Sequence, residues 1–409
     1  MQQINDLKHY FVITFSYWAF TITDGAIRML VVLYFHQLGY SPLEIALLFV
    51  FYEFFGIVTN LVGGWIGSRI GLNKTMHIGM GLQILALMSL TVPTEWLSVA
   101  YVMAAQAASG IAKDLNKMSA KASVKLMLPS QADASENERK LFKWVAILTG
   151  SKNTLKGAGY FIGGFLLAVA EFRGALYILA GGLAIVLVLS IVLLPIEIGK
   201  TKAKTKFTQL FSRSREINWL SAARFFLFGS RDVWFVVALP VFLSATLGWT
   251  HTQTGSFLAL WIIGYGFVQS SAPALLRKTS AHGNTASGNT AIIWTFLLAL
   301  IPAGIAIALN SSTGNHQNTE LVLMAGLAFF GIVFAINSAV HSYLILSYSD
   351  HDKVAVNVGF YYMANAGGRL TGTVLSGWAF QQFGLTGCLW ISAAFVLAAG
   401  LFSLPLRKA

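Results

Sequence analysis

Apolar residues run along this chain in long blocks, not in the short alternating or one-faced stripes of a soluble domain. Windows of about 20 predominantly apolar residues are long enough to cross a bilayer as a helix. They fall at 9–35, 42–67, 75–93, 96–120, 144–170, 174–195, 218–247, 251–275, 290–309, 321–346, 354–380 and 385–405. The pattern predicts an all-α, polytopic membrane protein with twelve transmembrane helices, and an even count puts both ends on one side. The longest stretch without apolar character, 197–217, is rich in lysine and threonine and cuts the chain near its middle. It predicts a six-helix half at 1–196, a linker at 197–217, and a second half at 218–409. One block is interrupted from within: Lys113, Lys117, Lys121 and Lys125 recur every fourth residue beyond Trp96. They share one helix face. A charge near the centre of a membrane helix costs about 2.5–3.5 kcal/mol on insertion scales, so the stripe calls for a functional reason.

Composition agrees with the blocks. The 409 residues are 56% hydrophobic and 11% charged, where a soluble domain carries about 25% charged residues. The net charge of +12 reflects topology, not nucleic-acid binding. Nineteen basic residues fall in segments on the side of the termini, and one, Arg173, falls opposite. That asymmetry predicts cytoplasmic termini. The first block is too long for a cleavable signal peptide and carries Asp24 and Arg28. The single cysteine, Cys388, leaves no intrachain disulfide to form.

The halves look related. Leu38-Gly39-Tyr40-Ser41 is echoed by Leu247-Gly248-Trp249-Thr250, and Gly163-Gly164 by Ser376-Gly377 at an offset of 213, which sets Lys156 opposite Arg369. Two related six-helix halves resemble the major facilitator superfamily, which implies substrate binding near the membrane midplane and alternating access. Gly64-Trp65-Ile66-Gly67-Ser68-Arg69-Ile70-Gly71-Leu72-Asn73-Lys74 resembles that superfamily's signature between its second and third helices, with Ser68 where an acid is usual. Gly159-Tyr160-Phe161-Ile162-Gly163-Gly164 resembles the motif of its antiporters, with Tyr160 in place of proline.

Eight basic residues remain inside the predicted spans: Arg28, Lys113, Lys117, Lys152, Lys156, Arg224, Arg231 and Arg369. The acids there are Asp24, Glu53, Asp114 and Asp232. Asp24 can meet Arg28, and Asp114 can meet Lys117. Arg231 and Asp232 are neighbours that do not face each other, so each is expected to pair with another helix. Lys117 and Arg224 are expected to snorkel to the cytoplasmic surface, where Lys121 and Lys125 act as topology charges. Four acids neutralise at most four bases. Surplus charge of this kind marks a substrate path and implies a small, multiply anionic substrate, since arginine forks and lysine ammonium groups suit phosphate-like oxyanions. The expected substrate contacts are Arg28, Lys113, Lys117, Lys152, Asn153, Lys156, Arg231, Asn365 and Arg369. Tyr361 and Tyr362 could add hydrogen bonds. For proton coupling, Glu53 has no basic neighbour at i±3 or i±4 and is the better candidate, with Asp24 second. There is no P-loop, no histidine pair at ligand spacing and no nucleophile–base arrangement. Neither enzymatic activity nor a metal or other cofactor is expected, and His341 reads as a structural hydrogen-bonding residue.

Several long strings resemble the ArsJ organoarsenical efflux permeases. They are Tyr17 to Leu30, Tyr52-Glu53-Phe54-Phe55-Gly56, Ser109 to Lys125, Leu148 to Asn153, Ser221 to Gly229 and Arg231 to Val237. The resemblance extends over nearly the whole chain. It implies export of 1-arseno-3-phosphoglycerate, made by a glyceraldehyde-3-phosphate dehydrogenase partner, and hence arsenate resistance. Two alternatives stay open from the residues alone: an organophosphate/phosphate antiporter, which needs the same cations, and a non-transporting sensor that keeps the transporter fold.

Overall fold

A computed structural model describes residues 2–40, 48–126, 134–194, 214–249, 251–279, 286–311, 316–350 and 353–408. These residues are almost entirely helical, with no strand among them. Helix α1 spans Gln2–Gln37, α2 Val50–Ile70, α3 Leu72–Ser89 and α4 Val99–Leu126. Helix α5, Ala134–Leu193, is broken at Glu171. Then come α6, Arg215–Phe235, α7, Ala238–Ala245, α8, His251–Thr279, α9, Gly288–Ser311, and α10, His316–Ser347. Helix α11, Val354–Ser403, is broken at Gly384. Most of the predicted linker lies outside the described residues, as does the start of the second predicted span.

Seven of the described helices are long and apolar enough to cross a membrane. The 60 residues of α5 would make a rod of roughly 90 Å, about three times the hydrocarbon thickness. The break at Glu171 divides it where the sequence ends one apolar block and begins the next. Helices α4 and α6 miss the apolar criterion because they carry the internal charges: Lys113, Asp114 and Lys117 on one, Arg224, Arg231 and Asp232 on the other. A hydropathy criterion therefore passes over the two helices with the densest internal charge.

The residues gather into two compact units. One comprises Met1–Trp144, Ser151–Ser212 and Ser349–Met363; the other comprises Val145–Gly150, Arg213–Tyr348 and Ala364–Ala409. The core of the first centres on Ile27, Leu30, Phe35, Leu87, Val102 and Leu176. That of the second centres on Trp234, Trp261, Leu298, Phe330, Phe334 and Val396.

Backbone geometry repeats between the units at the spacing seen in the sequence. Gly39 and Gly248 both take positive φ, 86° and 72°. Glu171 (φ 56°, ψ 179°) and Gly384 (φ 63°, ψ −166°) break their helices in nearly one conformation, 213 positions apart. Close helix approaches also repeat. A Cβ on Gly159 would lie 2.6 Å from the Ile22 carbonyl oxygen and 3.1 Å from Gly25 Cα, which joins α1 to α5. A Cβ on Gly372, again 213 positions on, would lie 2.5 Å from the Gly229 carbonyl oxygen, which joins α6 to α11. Without a hydrophobic drive between helices in lipid, such small-residue contacts let backbones pack closely.

Alanine at Gly159 or Gly372 must push backbone aside and should cost about 1–3 kcal/mol. Alanine at Gly182, where nothing lies within 4 Å, should be neutral or gain up to about 1 kcal/mol from helix propensity. Thermal unfolding of the purified variants checks the contrast; equal midpoints for all three would contradict the packing described here.

Candidate functional site

In the first unit, α1 presents Asp24 and, one turn on, Arg28. The glycine contact at Gly25–Gly159 brings α5 alongside. Lys156 Nζ donates to Asp24 Oδ2 at 3.0 Å, and the Tyr52 hydroxyl of α2 donates to Asp24 Oδ1 at 2.5 Å. Helix α4 reaches α2 through Gly110, whose Cβ would stand 2.5 Å from the Tyr52 carbonyl oxygen. This places Lys113 Nζ 3.8 Å from the Tyr52 ring centroid, with the Arg28 guanidinium 4.6 Å from the same centroid. Arg28 donates to Glu53 Oε1 at 3.2 Å. Lys113 lies 3.9 Å from Glu53 and 3.7 Å from Asp114, and Lys117 pairs with Asp114 at 2.5 Å. Lys121 donates to the Tyr362 hydroxyl, and Lys117 lies 4.6 Å from the centroid of that ring.

The second unit builds a smaller version. Asp232 of α6 accepts from Arg231 Nε at 2.7 Å and from Arg369 Nε of α11 at 3.0 Å. Asp232–Arg369 thus repeats Asp24–Lys156: an acid on the unit's first long helix, a base at the counterpart position, and the same separation. Nearby, Arg224 donates to Asn365 Oδ1 at 2.9 Å and Ser338 Oγ at 3.2 Å, with its guanidinium 3.8 Å from the Phe228 ring centroid. Gln269 Nε2 donates to the same Ser338 hydroxyl at 3.1 Å.

Within each unit several of these residues lie close together, and the structure corrects several details of their pairing. Arg28 pairs with Glu53 and not with Asp24, which Lys156 takes. Glu53 therefore has two cations from other helices, which intrahelical spacing could not reveal. Arg231 and Asp232 do bond to each other, because the long arginine side chain curls back over its buried neighbour. Lys117 and Arg224 do not snorkel: they are 8% and 2% exposed. Lys121, expected as a surface topology charge, is buried against Tyr362. The Lys125 and Ser68 side chains lie outside the described residues. His341 is buried beside Arg224, yet neither ring nitrogen has a hydrogen-bond partner among the described residues. Lys152 and Asn153 lie half-buried on α5, Lys152 one turn before Lys156. Tyr52, which holds Asp24 and faces two cations, escaped the sequence reading. The available signals are its position beside Glu53 and its place in the string Tyr52-Glu53-Phe54-Phe55-Gly56. Among the described residues no three His, Cys, Asp or Glu side chains gather as metal ligands.

Counting Lys121, the first unit sets six internal bases against three acids and the second sets three against one. In three of the four clusters the acid lies deeper than its cations. Asp24 is 3% exposed against 18% for Lys156, and Asp232 0% against 30% for Arg369. At Glu53 the order is reversed, with the acid 25% exposed against 24% for Arg28 and 11% for Lys113.

The profile of the Major Facilitator Superfamily matches residues 11–315. Comparison with curated proteins returned no match. Three solved structures share the fold at low identity. The human organic anion transporter MFSD10 (TETRAN) superposes with a TM-score of 0.73 at 13% identity, covering 97% of this chain and 99% of that one. A bacterial homologue of the iron transporter ferroportin gives 0.74 at 14%, covering 98% and 100%. The proton:xylose symporter XylE gives 0.75 at 14%, covering 100% and 97%. The fold, the matched residues and the multi-pass apolar helices have one conclusion: this chain belongs to the major facilitator superfamily, whose members are membrane transporters of small solutes.

Proposed function

We propose that the chain exports 1-arseno-3-phosphoglycerate from the bacterial cytoplasm by alternating access of its two halves, with both termini cytoplasmic, and so confers arsenate resistance. The observation that supports this reading is the excess of internal bases over internal acids among the described residues, with the base the more exposed partner in three of the four clusters. A phosphate at one end and an arsenate at the other supply charge that this surplus lacks, and lysine and arginine are suited to both. The arsenic assignment rests on the ArsJ-like strings, several of which contain the site: Asp24 and Arg28, Tyr52 and Glu53, Lys113 and Lys117, Arg231 and Asp232. A glyceraldehyde-3-phosphate dehydrogenase is the functional partner that makes the cargo. An inside-negative membrane potential favours anion exit by about 2.3 kcal/mol per charge per 100 mV. Glu53, a quarter exposed and bonded to Arg28, is the group through which a proton would be exchanged. Protonation there would release Arg28 to the cargo.

Everted vesicles supplied with the dehydrogenase, glyceraldehyde 3-phosphate, NAD and arsenate should accumulate arsenic, and should not when the dehydrogenase is omitted. Accumulation without the dehydrogenase contradicts the organoarsenical reading. Uptake of labelled glycerol 3-phosphate in its place favours an organophosphate antiporter.

Removing one member of a buried pair leaves the other charge uncompensated, at a cost of about 3 kcal/mol. Asp24→Asn should therefore lower the unfolding midpoint, and Asp24→Asn with Lys156→Gln should recover most of it. Transport should stay reduced at least about tenfold in the double variant at unchanged membrane abundance, because a charge-assisted contact to the cargo is gone. Restored transport would show that the pair is only structural.

A further inference from the structure

The break in α5 carries a cost that its counterpart avoids. Glu171 holds a left-handed φ of 56° with ψ 179°, a region that strains a non-glycine residue by about 1–3 kcal/mol. The equivalent corner of the other unit is Gly384, which takes this conformation without steric penalty. The corner accepts glycine, yet the first unit keeps a glutamate there. Such strain persists where the side chain has a task.

Glu171 lines a cavity of about 640 Å³ in the first unit, together with Arg173, Gln37, Thr94, Leu33 and Leu167. The volume is in the range of ligand sites. One wall is fixed by Tyr34, whose ring stacks on Phe172 with centroids 4.0 Å apart and whose hydroxyl bonds the Thr94 hydroxyl at 2.9 Å. The Arg173 guanidinium is anchored by donating from Nη2 to the Val92 carbonyl oxygen at 3.2 Å. Its fork has five donors in all, so most of it is available to a ligand. Both charged side chains are exposed, while Leu33 and Leu167 lie near the ends of the apolar blocks of α1 and of the first part of α5. The site therefore sits where apolar helix meets the membrane surface. A lone anion would be repelled by the carboxylate, and a lone cation by the guanidinium. A zwitterion with a phosphate and a short-tethered ammonium satisfies both, and the leucines suit the chain that follows.

We propose that this cavity is a headgroup site for a phospholipid carrying a primary ammonium, with Arg173 holding the phosphate and Glu171 the ammonium. The strain at Glu171 is retained because the carboxylate is needed there. The site is separate from the cationic clusters, so it stands or falls independently of the cargo.

The full chain, purified in detergent, is titrated with dioleoyl phosphatidylethanolamine, with the matching phosphatidylcholine, and with soluble O-phosphoethanolamine. Bound lipid is counted by native mass spectrometry and stability by the unfolding midpoint. The trimethylated headgroup of phosphatidylcholine keeps the phosphate but cannot donate a hydrogen bond. The ethanolamine lipid should be retained about tenfold better and should raise the midpoint more. Glu171→Gln and Arg173→Gln should each abolish that preference. Glu171→Gly should also abolish it, while raising the midpoint in phosphatidylcholine because the strain is relieved. Equal retention of the two lipids by the unaltered chain overturns the proposal, as does a preference that survives Glu171→Gln. A response to O-phosphoethanolamine as large as that to the lipid overturns the assignment to a lipid.

Discussion

Charge buried in an apolar protein must be compensated, and among the described residues the internal bases outnumber the internal acids nine to four. Each internal acid is held by at least one base, and Glu53, Asp114 and Asp232 by two. Aromatic rings take part of the remaining load: Tyr52 lies between Arg28 and Lys113, and Phe228 faces Arg224. Cation–π contacts soften a desolvated charge but are each worth only about 2 kcal/mol. In three of the four clusters the base is the more exposed partner, and at Glu53 it is not. That excess of positive charge is the feature on which the proposed anionic cargo rests.

The two units meet this constraint by the same construction. Glycines bring the first long helix of each unit against a later one, and the acid beside that contact takes a base from the partner helix. Lysine occupies the position in one unit and arginine in the other. A point charge and a planar fork differ in the geometry they accept, so the two positions are not chemically interchangeable. The first unit is also the richer, adding Lys113, Lys117 and Lys121 from α4.

Much of this was legible in the sequence because membrane proteins write their fold in long apolar blocks and repeat it. The 213-residue offset that aligned Gly163-Gly164 with Ser376-Gly377 also aligns Glu171 with Gly384 and Lys156 with Arg369 in the structure. What the sequence hid was which helix supplies each partner. Helical spacing names neighbours on one helix only. It therefore favoured Asp24–Arg28, left Glu53 without a cation, and treated Lys121 as a surface charge. Close approaches at Gly110 and Gly159 set the real register between helices, and they turned Arg28 toward Glu53 and Lys156 toward Asp24. Tyr52 was hidden for the same reason, since its role exists only once α1, α2 and α4 are together.

The claim that a surplus of internal positive charge holds a phosphorylated anion is tested most directly by calorimetric titration of the purified chain with 3-phosphoglycerate and with glycerate over a range of salt. These two ligands share a carbon skeleton and a carboxylate and differ by the phosphate. The account predicts measurable binding of 3-phosphoglycerate that weakens as salt rises, and binding of glycerate weaker by at least about a hundredfold, the equivalent of about 2.8 kcal/mol. Equal binding of the two, or binding of 3-phosphoglycerate that ignores salt, would contradict it.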